Sequence, residues 1–556
     1  MKIYKGIAGS PGIVSAKMIY FEKKSENKIK LDIDEAVEKT LKKVSRLHKQ
    51  ALEEMGEDKA KIFAAYEMLL QDSMLIDPMK KEVEGGKSTE EAIKSVTNAM
   101  ADILSKKNNE YMRQRAEDIR YIGKLLLEAE SESEFSFPEG EDKYILAAYE
   151  LTPVDTMMFD KSRLAGFVTE CGGKTSHTVI LAKSLGIPAV VGVKGIDSGL
   201  DSEPAFLDGY SGELVVSPNS EKKAEYEKKL FEEQQLLQSL EAVKKSEART
   251  KDGEKISVCI NIGKPSDMKD YESEMLDGVG LFRSEFLYSS ASKKPELDEQ
   301  IEAYREVIKK AAPNAVTIRT LDVGGDKKID YLNMKHEENP FLGNRGIRLC
   351  LGNTDIFREQ LEAILIAAAG EKVKIMLPMV TSLREINETK KIISEIKAEL
   401  DKKNIGYCKN YLLGIMIETP ASAISADIFA RHCDFFSIGT NDLVQYIMAA
   451  DRGNSDVEKL YNPSHPSVIS MISNVISAGK RAGIETSVCG DLAANTDFTE
   501  LLLGLGLKKF SVPLPAASRV KYKIGGIDSE KAKKYAQAVL EAEDEVQTEK
   551  IMRKGQ

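Results

Sequence analysis

Hydrophobic positions in the first third of the chain recur with the spacing of an α-helix. Between residue 32 and about residue 131, "DIDEAVEKTLKKVSRLHKQALEEM", "AKIFAAYEMLLQDSMLI", "STEEAIKSVTNAMADIL" and "AEDIRYIGKLLLEAE" carry apolar residues three and four apart, which predicts three or four antiparallel helices. The best-marked boundary is Gly85-Gly86, after which Ser88 and Glu91 have the spacing of a capping box. Short β-type runs follow: "DKYILAAYELTPVDT", "GFVTE", "PAVVGV", "PAFLDG" and "GELVVS". They predict an α/β unit made of residues 136–218 and the strand-like start, residues 1–21, with the helical segment 22–135 inserted between them.

Residues 219–248 contain neither Gly nor Pro and are dense in Glu, Lys and Gln, the pattern of a solvated linker helix. At its full length it would be on the order of 40 Å long, enough to hold two domains apart. From residue 255 the pattern changes to β-branched and apolar runs, each followed by a helical segment. They are "KISVCINIG", "GVGLFRSEF", "AVTIRTLDVGG", "KVKIMLPMV", "LLGIMIETP", "FFSIGTNDL", "ETSVCGDLAA" and "KKFSVPLPA". Eight such units predict a (β/α)8 TIM barrel over residues 249–556, somewhat above the usual ~250 residues. The fold class is therefore multidomain α/β, without the short repeats of a solenoid.

A chain of 556 residues exceeds one ordinary core, in keeping with roughly two to four domains. No run approaches the ~18 apolar residues of a membrane span, and the start of the chain lacks the features of a signal peptide. A cytoplasmic location without membrane insertion is expected. Cys171, Cys259, Cys350, Cys408, Cys433 and Cys489 are scattered without C-x-x-C spacing, which points to reduced thiols. The net charge is −10, and no basic run is interleaved with aromatics, so nucleic acid is not an expected partner. An anionic small molecule fits if cationic side chains cluster locally.

Chemistry in such a barrel sits at the C-terminal ends of the strands. The polar residues falling there are Arg283, Glu285, Arg319, Asp322, Glu418, Asn441, Asp442, Cys489 and Asp491, with Arg452 soon after the sixth strand. Any one of the charged residues could serve only in a salt bridge, and Cys489 could be only a buried strand cysteine, the commoner fate of that residue. Together, three arginines beside Lys327 can bind phosphate and carboxylate by forked hydrogen bonds, and Glu418 and Asp442 are hard ligands suited to Mg²⁺. The set describes a pocket for a small polyanion bridged by a divalent metal, with Cys489 placed to give or take a proton.

Outside the barrel, "GGKTSHTVILAKSLGIPAVVG" sets His177 where a strand has ended and a helix begins. Gly172 and Gly173 allow close backbone approach, Ser176 or Thr175 can cap, and the helix ends at Gly186. The positive end of that helix favours an anion and disfavours imidazolium, leaving the ring neutral and nucleophilic. A phosphoryl acceptor and a residue that caps its own helix fit these residues equally well. A metal ligand fits poorly, because the five histidines are dispersed.

Taken in order, "GGKTSHTVILAKSLGIPAVVG", "GVGLFRSEFLY", "IRTLDVGGDK", "ENPFLGNRGIR", "IETPASA", "FFSIGTNDLVQY" and "CGDLA" closely resemble enzyme I of the bacterial phosphoenolpyruvate:sugar phosphotransferase system. The resemblance runs from "GIAGSPGI" nearly to the C-terminus. It implies that phosphoenolpyruvate phosphorylates His177 with Mg²⁺ (or Mn²⁺), releasing pyruvate, and that the group then passes to a histidine of the phosphocarrier protein HPr. By the same resemblance Arg283, Arg319 and Arg452 bind substrate and Asn441 touches the phosphate. Lys327 and Arg345 line the pocket, Glu418 and Asp442 hold the metal, and Cys489 protonates the enolate carbon. Residues 22–135 would be the HPr-binding subdomain, and a homodimer through the barrel is implied. Asp491 replaces an expected Glu, and "SVPLPAAS" departs from the family pattern after the last strand.

Singly, several of these motifs also occur in pyruvate phosphate dikinase and phosphoenolpyruvate synthase. That reaction needs a nucleotide-binding domain, and the chain has no GxxxxGK[ST] loop and few residues ahead of His177. A non-catalytic phosphoenolpyruvate-sensing regulator should have lost transfer groups, yet all are present. The nitrogen-related paralogue of enzyme I carries an N-terminal sensory domain, for which no room is expected ahead of residue 6.

Overall fold

The computed structural model describes all residues except 22–30, 56, 106–109, 130–141, 152–154, 156–158, 174–175, 290–292, 326–328, 333, 453, 455 and 555–556. They form two compact units, residues 1–235 and 236–556.

In the first unit, β1 (Lys2–Lys5), β2 (Ile7–Ser10), β3 (Ile13–Phe21), β4 (Tyr144–Ala148), β5 (Leu164–Thr169), β6 (Ala189–Val191), β7 (Pro204–Asp208) and β8 (Glu213–Val216) make one sheet. Its order is β1-β8-β7-β3-β4-β5-β6-β2, so the N-terminal strands join it as the sequence predicts. Side chains that alternate along each strand feed two cores, one on each face. The helix His177–Leu185 packs Leu181 and Ala182 on the face that carries Leu146, Phe167 and Ala189. It lies so close to β2 that a Cβ on Gly9 would stand 2.6 Å from a Val179 methyl, so only glycine fits there.

The inserted segment contains five helices among the described residues, Ile33–Met55, Glu57–Leu70, Ser73–Glu84, Thr89–Ser105 and Glu110–Leu127, where apolar spacing predicts three or four. The extra break falls at Asp72. Its carboxylate accepts the Met74 N–H at 2.9 Å and starts a new helix inside a run whose apolar period continues unbroken. The capping box forms as predicted: the Ser88 N–H donates to Glu91 Oε2 (3.0 Å) and the Glu91 N–H to Ser88 Oγ (3.2 Å).

The polar segment after β8 is a helix, Ser220–Lys244, and the division between the units falls within it. It is not solvated throughout. Tyr226 is fully buried, its ring stacked 5.0 Å from that of Phe206 and its hydroxyl donating to Glu213 at 2.9 Å. Tyr226, with Leu230 packed beside it and Lys229 3.4 Å from Asp208, thus docks the start of a helix whose overall composition is that of a free linker.

All eight barrel strands form where the runs predict them: β9 (Ser257–Ile262), β10 (Val279–Arg283), β11 (Val316–Arg319), β12 (Val373–Leu377), β13 (Leu412–Ile417), β14 (Phe435–Ile438), β15 (Glu485–Val488) and β16 (Lys509–Pro513). They are parallel, and β9 closes the barrel by pairing with both β16 and β10. Ile260, Phe282, Ile318, Ile375, Ile415, Phe436, Val488 and Phe510 share one large core with the outer helices. The residues that alternate with them, Leu281, Met376, Met416 and Phe435, form a separate cluster with Cys489. Period-two alternation puts this second set toward the barrel axis, where it fills the interior beneath the open C-terminal end.

Candidate active site

At that end a cavity of about 330 Å³ is lined by Arg283, Arg319, Asp322, Arg345, Glu418, Asn441, Asp442, Arg452, Cys489 and Asp491 among others. Alternation explains several of them. Met416 faces the axis, so Glu418, two residues on, does so just beyond the end of β13; Arg283 stands in the same relation to Leu281. Asn441 and Asp442 open the helix Thr440–Met448 directly after β14, and Cys489 follows β15. Arg345 comes from the long connection after β11, and Arg452 from the loop after the helix Thr440–Met448. Lys327 lies outside the described residues.

The buried guanidiniums are already paired. Arg319 Nη2 lies 2.7 Å from Glu285 Oε1, and its Nη1 lies 2.9 Å from Asp322 Oδ2. Arg345 Nη2 lies 3.0 Å from Asp322 Oδ2 and 3.3 Å from Asp442 Oδ2. Burial alone would lower both guanidiniums, but the neighbouring carboxylates hold them above the ordinary arginine range. Arg283 and Arg452 are exposed at the rim and make no ion pair among the described residues.

Glu418 is buried and accepts the Met379 N–H at 2.6 Å. Burial, followed by the charges of Asp442 and Asp322, pushes its carboxyl well above the usual range. Cys489 is buried, and burial pushes its thiol up to about 11, against a smaller opposing effect of the Ser437 hydroxyl. The group therefore carries its proton at neutral pH. Asn441 Nδ2 donates to Asp491 Oδ2 at 3.0 Å, and the Asp491 N–H returns a 2.9 Å bond to Asn441 Oδ1, so the shorter acid at 491 clamps this amide.

Four guanidiniums and four carboxylates line the cavity, and Glu285, bonded to Arg319, adds a fifth acid. Its charge is thus close to balance. A divalent cation on Glu418 and Asp442 would relieve their mutual repulsion and tip the balance toward binding an anion. Among the described residues no three His, Cys, Asp or Glu side chains form a metal cluster. Two carboxylates suit Mg²⁺, which usually takes one or two together with substrate oxygens and water.

In the first unit His177 is the first residue of its helix and Ser176 the N-cap. Ser176 makes no side-chain capping bond, and its buried Oγ has no partner among the described residues. The capping expected of Ser176 is therefore not made, and Thr175 lies outside the described residues. The helix ends at Gly186 in the left-handed conformation (φ 67°), as predicted.

The structure brings Arg283, Arg319, Arg345, Asn441, Arg452, Glu418, Asp442 and Cys489 around one cavity. Sequence reading missed Phe341 and Met416 in its wall. Met416 has a signal, its inward place in the alternation of β13; Phe341, in the single 3-10 turn Pro340–Leu342, has none.

Residues 5–115, 140–212 and 238–529 match the families described as PEP-utilising enzyme, N-terminal; PEP-utilising enzyme, mobile domain; and PEP-utilising enzyme, PEP-binding domain. The phosphoenolpyruvate-protein phosphotransferase of Staphylococcus carnosus (strain TM300) is 37% identical over 97% of this chain and 96% of its own. Its namesake in Bacillus subtilis (strain 168) is 37% identical over 97% of each chain. The chain belongs to the phosphoenolpyruvate-protein phosphotransferase family.

Proposed function

We propose that this protein takes the phosphoryl group of phosphoenolpyruvate onto His177, releases pyruvate, and passes the group to a histidine of HPr. The observation that carries this reading is the convergence of four arginines, the Glu418–Asp442 pair and a protonated thiol on one cavity. Arg283, Arg319 and Arg452 would bind the phosphate and carboxylate, Asn441 the phosphate, and Arg345 and Lys327 the pocket wall. Glu418 and Asp442 would hold Mg²⁺, or Mn²⁺. When bound, the cation supplies charge neutralisation on the phosphoryl oxygens. In the reaction the P–O bond of phosphoenolpyruvate breaks as an N–P bond forms on the imidazole. The enolate carbon takes a proton from Cys489 and gives pyruvate, and solvent returns a proton to the thiolate. A thiol held near 11 suits that role, because it is a loaded acid at neutral pH.

His177 must meet first the substrate pocket and then the HPr histidine, and we assign the domain movement that this exchange requires to residues 219–248 and 142–150. We assign the protein to the cytoplasm, as a homodimer through the barrel. Among the described residues no helix is long and apolar enough to cross a membrane. The test is incubation with ³²P-labelled phosphoenolpyruvate and Mg²⁺. The expected result is an acid-labile, base-stable label on the parent and none on His177→Ala. Binding of phosphoenolpyruvate without labelling of the parent would instead identify a sensor.

A further inference from the structure

We propose that Gln360 is a positioning residue for this pocket: its side-chain amide locks the ends of β10 and β11 together and so aims Arg283 and Arg319. The inference rests on the assignment of those arginines to substrate made above.

Gln360 sits on the helix Thr354–Ala367, has no exposed surface, and does not line the cavity. Its Oε1 accepts the Leu321 N–H at 2.9 Å, between Arg319 and Asp322 in the chain. Its Nε2 donates to Ser284 Oγ at 2.9 Å and to the Tyr304 hydroxyl at 3.0 Å. Ser284, fully buried between Arg283 and Glu285, donates in turn to the Arg319 carbonyl at 2.8 Å.

The chemistry of the partners dictates the amide. The Ser284 proton is committed to Arg319, so Ser284 needs a donor, while the Leu321 N–H needs an acceptor. One carboxamide meets both demands and uses its second N–H on Tyr304. An ionised carboxylate would leave Ser284 without its donor, and a thioether would meet neither demand. All of these groups are buried, so an unmade bond carries the full cost of desolvation. The backbone that Gln360 ties down carries Arg283 at the end of one strand and Arg319 at the end of the next, with Asp322 three residues on. A few tenths of an ångström of play there moves the guanidiniums relative to the phosphate they must meet.

The test compares Gln360→Met, Gln360→Glu, Ser284→Ala and Tyr304→Phe in the full chain. KM for phosphoenolpyruvate and kcat for transfer to HPr are measured against pH, with Tm alongside. Gln360→Met should raise KM about ten-fold with a smaller change in kcat, and Ser284→Ala should shift KM in the same direction. Tyr304→Phe, which spares the Leu321 and Ser284 bonds, should lower Tm with KM unchanged. Gln360→Glu should approach the parent KM at low pH, where the neutral acid can both accept and donate. Relative to the parent measured at the same pH, its KM should rise with pH as the carboxyl ionises. If Gln360→Met does not fold, Gln360→Glu and Ser284→Ala decide. Parent-like KM in both, across the pH range, would overturn the proposal whatever Tm does. Arg319→Ala is run beside them: if it leaves KM unchanged, the substrate assignment fails, and it does so independently of Gln360.

Discussion

Asp322 carries the charge balance of two arginines at once. Its Oδ2 lies 2.9 Å from Arg319 Nη1 and 3.0 Å from Arg345 Nη2, and all three side chains are buried. Asp322→Asn keeps the shape, removes the charge and turns an amide toward donors that need an acceptor. Breaking a buried pair costs about 3–5 kcal/mol. Arg319 keeps Glu285 and Arg345 keeps Asp442, which argues for the lower end, about 3 kcal/mol. For a unit of roughly 320 residues, an unfolding entropy of ~2.1 cal/mol/K per residue amounts to about 0.7 kcal/mol/K, so Tm should fall by about 4–5 °C. The substitution also raises the cavity's net charge by one. Inorganic phosphate should therefore restore more of the lost Tm in the variant than it adds to the parent. Scanning calorimetry of both proteins with and without phosphate reads both effects. A Tm within ~1 °C of the parent, or equal phosphate shifts in the two proteins, would refute the argument that Asp322 neutralises both guanidiniums.

The thiol of Cys489, held up to about 11 by burial, should be about one part in a thousand thiolate at pH 8, so iodoacetamide should alkylate it far more slowly than the partly exposed Cys171. Peptide mapping checks this, and equal rates would contradict the burial argument. Removing divalent cations with a chelator should abolish labelling by phosphoenolpyruvate in the parent, with recovery on adding Mg²⁺; labelling that persists would remove the assigned role of Glu418 and Asp442. Ser88→Ala should destabilise the helical segment by about 1 kcal/mol, read by urea unfolding followed through that segment, while KM for phosphoenolpyruvate stays at the parent value.

The architecture was legible because it rests on local periods. Eight apolar runs with turns between them can form parallel strands only when helices return the chain, and the closed barrel satisfies all eight at once. The site was legible for a related reason. Parallel strands open at one end, so the inward residue one step beyond the packed interior converges with its counterparts, as Arg283 does after Leu281, Glu418 after Met416 and Cys489 after Ser487. What local pattern cannot show is which distant charge answers which. Lys374 in "KVKIML" alternates like a solvent-facing residue, yet it is buried, and Glu485, 111 residues later, meets its Nζ at 2.7 Å. Tyr226 is invisible in the same way: one buried ring in a helix of charges. The arginines show the consequence most sharply. Arg283 and Arg319 at their strand ends, taken alone, suggest a cationic pocket ready for a polyanion. Asp322 and Asp442, brought in by a loop and a helix start, instead bring the lining to balance, and that balance is the physical reason a divalent cation belongs in the proposed reaction.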